Sequence, residues 1–188
     1  MKLCGIISLT FLCLITVGCS FERTKLRKQM DEFMQSEIIF PSSFHKIESG
    51  RLSPCERIQT KPVLVFYHDS SSCSLCQINR LHDRLDIYAL SDSLGNFDVM
   101  TILSPKEEEY QEVIGTLMDR CYEFPVYIDY SREFPVYNPH IPEDVRFHTF
   151  LVDERCRPVF VGDPVPETTL WDIFCKTLDK ITSTTENQ

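Results

Sequence analysis

The sequence predicts an α/β fold, a central mixed β-sheet flanked by helices on both faces, with a helical extension before it. Three observations carry this. Apolar runs of strand length alternate with helical periodicity from Lys61 onward, which implies a largely parallel sheet. Two late runs, residues 147–153 and 157–162, stand close enough to turn back on each other and make the sheet mixed. The first run, Val63-Leu-Val-Phe-Tyr67, is apolar without interruption, as strands covered on both faces are.

The elements follow in order. Met1-Lys2 is a short positive start, Leu3 to Val17 is mostly apolar, and Gly18-Cys19 closes the run. This is shorter than the ~20 residues of a membrane span and has the shape of a secretory signal. Its end, Thr16-Val17-Gly18-Cys19, resembles a bacterial lipobox, although Thr16 stands where Leu is usual. Residues 1–18 are therefore expected to be a lipoprotein signal peptide and Cys19 the lipidated first residue. That places the protein in the cell envelope, lipid-anchored on the extracytoplasmic side, where disulfides persist. The thiols left would be Cys55, Cys73, Cys76, Cys121, Cys156 and Cys175, whose pairing spacing alone does not fix.

Residues 19–60 read as an anchor and helical extension. Leu26, Met30, Phe33 and Met34 line one face of a helix over 21–38. Its basic residues, beginning just after Cys19, face either anionic headgroups or solvent. From Pro41 to Thr60 the sequence reads as loop with room for short strands. Residues 61–181 form the expected domain. Ser70-Ser-Ser72 offers helix caps, and Leu75, Ile78, Leu81, Leu85 and Tyr88 repeat as one helical face. A strand over 97–103, a helix from Ser104-Pro105 to Arg120 with proline at its first position, and a short strand over 124–129 follow. Residues 130–145, rich in proline, read as irregular. A hairpin turning at residues 154–156 precedes a last helix over 166–181, with Leu170, Ile173, Phe174 and Leu178 on one face. Residues 182–188 read as a disordered tail.

One motif carries chemistry. His68-Asp-Ser-Ser-Ser-Cys73-Ser-Leu-Cys76 follows a buried strand and opens a helix. Thiolate is the reactive form of cysteine, and a helix N-terminus lowers its pKa. Cys73 is thus the candidate nucleophile and Cys76 the resolving thiol of a disulfide-exchange cycle. His68 stands close enough to stabilise a thiolate or move a proton, or is a plain loop histidine. The net charge of −9 argues against nucleic acid. The expected partners are protein thiols or disulfides, a redox partner the sequence does not name, and the membrane through the anchor. No cofactor or metal is expected, since the remaining thiols lie singly and a zinc site needs about four ligands.

A strand running into Cys-x-x-Cys at a helix start resembles the thioredoxin fold. "FPVYID" followed by "FHTFLVDERCRPVFVG" resembles the signature of extracytoplasmic thioredoxin-like proteins. "FYHDSSSCSLCQINRL", "TFLVD" and "VFVGDP" are similar to a group of thioredoxin-like lipoproteins of Bacteroidetes. The likeness covers about Lys61 to Leu178 and implies a membrane-anchored thiol-disulfide oxidoreductase. Three departures stand against it. Ser72 replaces the usual Trp before the first cysteine. The proline that usually precedes the hairpin strand and faces the thiols falls on Phe147 or His148. Phe66 occupies the expected place of a buried acid. Two further readings remain: a peroxidase, which Ser70 fits and Phe66 does not, and a non-catalytic lipoprotein using the fold as a binding scaffold. Cys121 or Cys156 could also pass electrons to the main pair.

Overall fold

A computed structural model describes residues 23–55 and 60–185. Residues 1–22, with the expected signal peptide and Cys19, residues 56–59 and the last three residues lie outside the described residues. Helix α1 spans 23–35. β1 (His45–Glu48) and β2 (Arg51–Pro54) follow, then β3 (Val63–His68), α2 (Ser74–Asn79), α3 (Leu85–Leu94), β4 (Asp98–Leu103), α4 (Tyr110–Arg120), β5 (Val126–Ile128), α5 (Glu133–Tyr137), β6 (Thr149–Val152), β7 (Pro158–Val161) and α6 (Thr169–Thr185). The seven strands form one sheet in the order β2-β1-β5-β4-β3-β6-β7. β3, β4 and β5 run parallel, while β1, β6 and β7 are antiparallel to their neighbours. The mixed sheet expected from the sequence is present.

The alternating side chains of β3 divide the core. Val63, Val65 and Tyr67 meet Phe33 of α1, Phe44 and Phe134 on one face. Leu64 and Phe66 meet Ile87, Tyr88 and Phe174 of the helices on the other. All of β3 up to Tyr67 is buried. This is why its sequence shows no period of two, since both faces leave water. Each fully buried phenylalanine contributes roughly 1.5–3 kcal/mol.

The segment before residue 61 does more than extend the domain. β1 pairs with β5 and so belongs to the sheet, and Phe33, Ile38, Phe44 and Ile47 are core residues. α1 stops at residue 35, before the expected end. Beyond it the chain is pinned in extended form: Ile38 N–H donates to the Cys156 carbonyl at 2.8 Å, and Ile39 N–H donates to Asn138 Oδ1 at 2.7 Å. The β1–β2 turn has positive φ at Ser49 (49°) and Gly50 (69°). A Cβ at Gly50 would stand 2.8 Å from Cys121 Sγ and 3.0 Å from the Met118 carbonyl, so the turn fits against α4 only with glycine.

Other differences have local causes. The helix after the cysteines is broken: α2 ends at Arg80 (φ −99°, ψ 0°), a 3₁₀ turn covers Leu81–Arg84, and α3 begins in a new phase. Leu85 is consequently 50% exposed while Ile87 is buried. α4 starts at Tyr110 instead of Pro105, because Lys106 is extended (φ −66°, ψ 152°) and a 3₁₀ turn covers Glu107–Glu109. The proline-rich stretch contains α5, with Pro135 in its first turn, where no N–H is needed. The 154–156 turn forms as expected, its backbone N–H groups at Arg155 and Arg157 donating to the Asp153 carboxylate. α6 runs to Thr185, four residues into the stretch read as tail. Phe174 and Leu178 of its expected face are buried, but Leu170 and Ile173 are exposed.

Candidate functional site

The C-terminal ends of β3, β4 and β5 and the start of β6 lie at one end of the sheet, and the cysteine motif sits there. His68 closes β3, and its carbonyl accepts the Ser104 N–H at 2.8 Å. The loop then turns on Asp69. Its Oδ1 accepts the Ser71 N–H at 3.0 Å, the Ser71 hydroxyl at 2.6 Å and the Ser72 hydroxyl at 3.3 Å. Burial alone would raise the Asp69 carboxyl, but the bonds from Ser71 and Ser72 and the nearby His148 outweigh it and hold it below the usual range. Ser71 and Ser72 serve this turn, and the residue that caps α2 is Cys73 itself.

Cys73 has extended backbone angles (φ −69°, ψ 103°), and its Sγ accepts the Cys76 N–H at 3.2 Å. A sulfur at an N-cap takes the place of the usual oxygen acceptor. Cys73 and Cys76 are joined in a disulfide with Cα atoms 5.2 Å apart. Both are exposed, while Ser74 and Ile78 of the same short helix are buried. The first turn of α2 holds no acidic side chain.

His68 is partly buried, and its pKa is pushed down to about 4, first by burial and then by the charges of Arg84 and His148, against a weaker pull from Asp69. It is a neutral imidazole at pH 7. With the pair oxidised, no thiolate stands beside it to pull that value up. Beneath α2, Phe66 is buried as expected, and the Arg84 guanidinium lies 4.4 Å from its ring centre. Arg84 also forms a two-pronged ion pair with Asp163. A ring and a paired cation thus stand where a buried acid was looked for.

An acid is buried nearby, on a different strand. Asp129, just past β5, is fully buried. It accepts from the Ser104 hydroxyl and from the Glu133 and Phe134 N–H groups at 3.0–3.1 Å. Burial raises its pKa, and those bonds oppose the rise. It caps the start of α5. The sequence signal was present in "YIDYSREF", an aspartate four residues before a buried helix start.

Phe147 ends a 3₁₀ turn and His148 follows it, directly before β6. The Tyr67 N–H donates to the His148 carbonyl at 2.9 Å, so the backbone here is bound to β3. His148 is buried. Its Nε2 lies 2.8 Å from the Pro142 carbonyl, which makes Nε2 the protonated nitrogen. Its Nδ1 has no partner among the described residues. The position is filled by an imidazole whose ring centre lies 5.0 Å from that of Tyr67, the two planes tilted by 41°. Phe147 is half-buried under Arg146.

The other cysteines stand apart. Cys121 is exposed at the end of α4, in left-handed conformation, its thiol donating to the Met118 carbonyl at 3.0 Å. Cys156 lies in the β6–β7 turn. Both are at the far end of the sheet, about 20 Å from Cys73 along six residues of β3. That distance removes them as direct electron relays. Burial raises the thiol pKa of Cys55 and of Cys175. Cys55 and Cys121 border a groove of about 930 Å³, also at the far end. Among the described residues no group of three metal-ligating side chains comes together, and no helix is long and apolar enough to cross a membrane.

No family model and no curated protein matches this chain. Solved structures do. A crystal structure of Enterococcus faecalis AhpC aligns with a TM-score of 0.50 at 14% identity, over 80% of this chain and 94% of that one. An uncharacterized thioredoxin-like protein from Porphyromonas gingivalis aligns at 0.48 and 15%, over 78% and 94%. A putative electron transfer protein from Aquifex aeolicus VF5 aligns at 0.47 and 13%, over 76% and 96%. At such identities likeness speaks to architecture alone, and together with the strand order it gives the chain a thioredoxin-like α/β fold.

Proposed function

We propose that this protein is a thiol-disulfide oxidoreductase of the cell envelope, tethered by lipid on Cys19 and acting through Cys73 and Cys76. The observation that carries the reading is the exposed disulfide whose Cys73 sulfur already accepts an N–H from Cys76. In the reduced pair that N–H and the start of α2 favour Cys73 as thiolate. Cys73 attacks a substrate disulfide, forming a mixed disulfide and expelling one substrate thiolate. Cys76, as thiolate, then attacks the Cys73 sulfur, releases the second substrate thiolate and closes the pair. The reverse sequence oxidises a substrate dithiol. The substrates would be protein thiols or disulfides reaching the exposed end of the sheet.

Insulin-disulfide reduction by the full chain, compared with Cys73→Ser, tests the chemistry. Loss of activity in the variant is expected, and equal activity in both would remove the claim. Loss of membrane association in Cys19→Ala is the expected mark of the anchor. One observation favours the second reading, a binding scaffold: the segment before β6 is bound to Tyr67 and filled by His148 where a substrate-facing proline was expected. A Cys73 thiol pKa near the ~8.5 of a free cysteine would support it.

A further inference from the structure

Resting on the exchange reading above, we propose that small-molecule thiols open this disulfide by attacking Cys76, so that Cys73 leaves as the thiolate. An incoming thiolate chooses between two sulfurs by access and by which thiolate leaves more readily. In a pair with one buried sulfur, access decides. Here neither cysteine is a buried residue, so the leaving group bears on the choice.

The chemistry is asymmetric. When Cys76 is attacked, the electron pair of the broken S–S bond arrives on Cys73 Sγ, 3.2 Å from the Cys76 N–H that already points at it. When Cys73 is attacked, the pair arrives on Cys76 Sγ, which accepts no hydrogen bond among the described residues. The Cys73 thiolate is the better leaving group.

In the first step, a bond forms between the small thiol's sulfur and Cys76 Sγ, the Cys73–Cys76 bond breaks, and Cys73 takes the electron pair. In the second, another small-molecule thiolate attacks the sulfur of the bound molecule. Its own disulfide is released, and Cys76 takes the electron pair. Two thiols are oxidised to one disulfide, and the protein pair gains two electrons. Electrons thus enter at Cys76 and leave to substrate from Cys73.

The test uses the full oxidised chain and glutathione, stopped in acid at successive times within the first turnover. Fragmentation mass spectrometry of the peptide holding both cysteines then locates the adduct, with glutathionylated Cys73→Ser as the standard for Cys76. Extrapolated to zero time, the adduct is expected on Cys76 in roughly fivefold excess or more. An adduct mainly on Cys73 overturns this inference and leaves the exchange reading intact. Failure of both glutathione and dithiothreitol to open the pair overturns both.

Discussion

Lowering the pH charges His68 in the unfolded chain well before it charges His68 in the fold. The folded pKa is about 4 against an ordinary 6.5, with burial as the first cause and the Arg84 and His148 charges behind it. A depressed histidine favours the fold while it is neutral. Its contribution is complete above pH 6.5 and drains away as the pH falls toward 4, because only the unfolded chain takes up the proton in that window. At 1.36 kcal/mol per pH unit, the gap between 6.5 and about 4 caps the loss at about 3.4 kcal/mol. His68 is only partly buried, so about 2–3 kcal/mol is the expected figure.

The assay is urea unfolding at pH 7.5, 6, 5 and 4, followed by the fluorescence of Trp171, for the wild type and His68→Gln. Carboxylates titrate in the same range, and buried Asp129, whose pKa is raised, works in the opposite direction. The readout is therefore the difference between the two proteins. The wild type should lose about 2–3 kcal/mol more than the variant between pH 7.5 and 4. Parallel curves would show that His68 is solvated in solution and that its surroundings exert no such pressure.

Two other perturbations probe the frame of the site. Asp129→Ala removes the acceptor for two backbone N–H groups and the Ser104 hydroxyl, and should cost about 2–4 kcal/mol in chemical denaturation. Asp129→Asn should leave the Cys73 thiol titration unchanged, and a shifted titration would give Asp129 a role in the chemistry. Gly50→Ala meets both a positive φ and the Cys121 sulfur, and should cost about 2–3 kcal/mol. Adding Cys121→Ala should return roughly 1 kcal/mol of it, and strict additivity in the double-mutant cycle would refute the contact.

The sheet and the cysteine pair were legible because their signals are local. Five adjacent apolar residues announce β3, and two cysteines three apart after it announce the site. What escaped depended on contacts between distant segments. β1 and β2 lack alternating apolar residues, and β1 is held in the sheet by pairing with β5, some eighty positions on. The apolar steps from Leu75 to Tyr88 fit one helix, yet the chain breaks phase at Arg80 and again near Arg84, whose guanidinium is bound to Asp163 and Phe66. No window around Leu85 contains that information.

The same reasoning bears on the departures at the site. Phe66 marked the absence of an acid, one of three departures from the resemblance. The structure shows why the position tolerates a ring. Arg84 crosses it and is neutralised by Asp163, and His68 above it is kept uncharged, so the space beneath α2 holds no unpaired charge to be balanced by a carboxylate. An acid placed at Phe66 would instead compete with Asp163 for Arg84. Within the proposed function, the Cys76 N–H in the first turn of α2, at 3.2 Å, is the local support for an anion on Cys73. The reactivity of Cys73 should accordingly follow the local backbone at Ser72–Cys76 more closely than any substitution at Phe66.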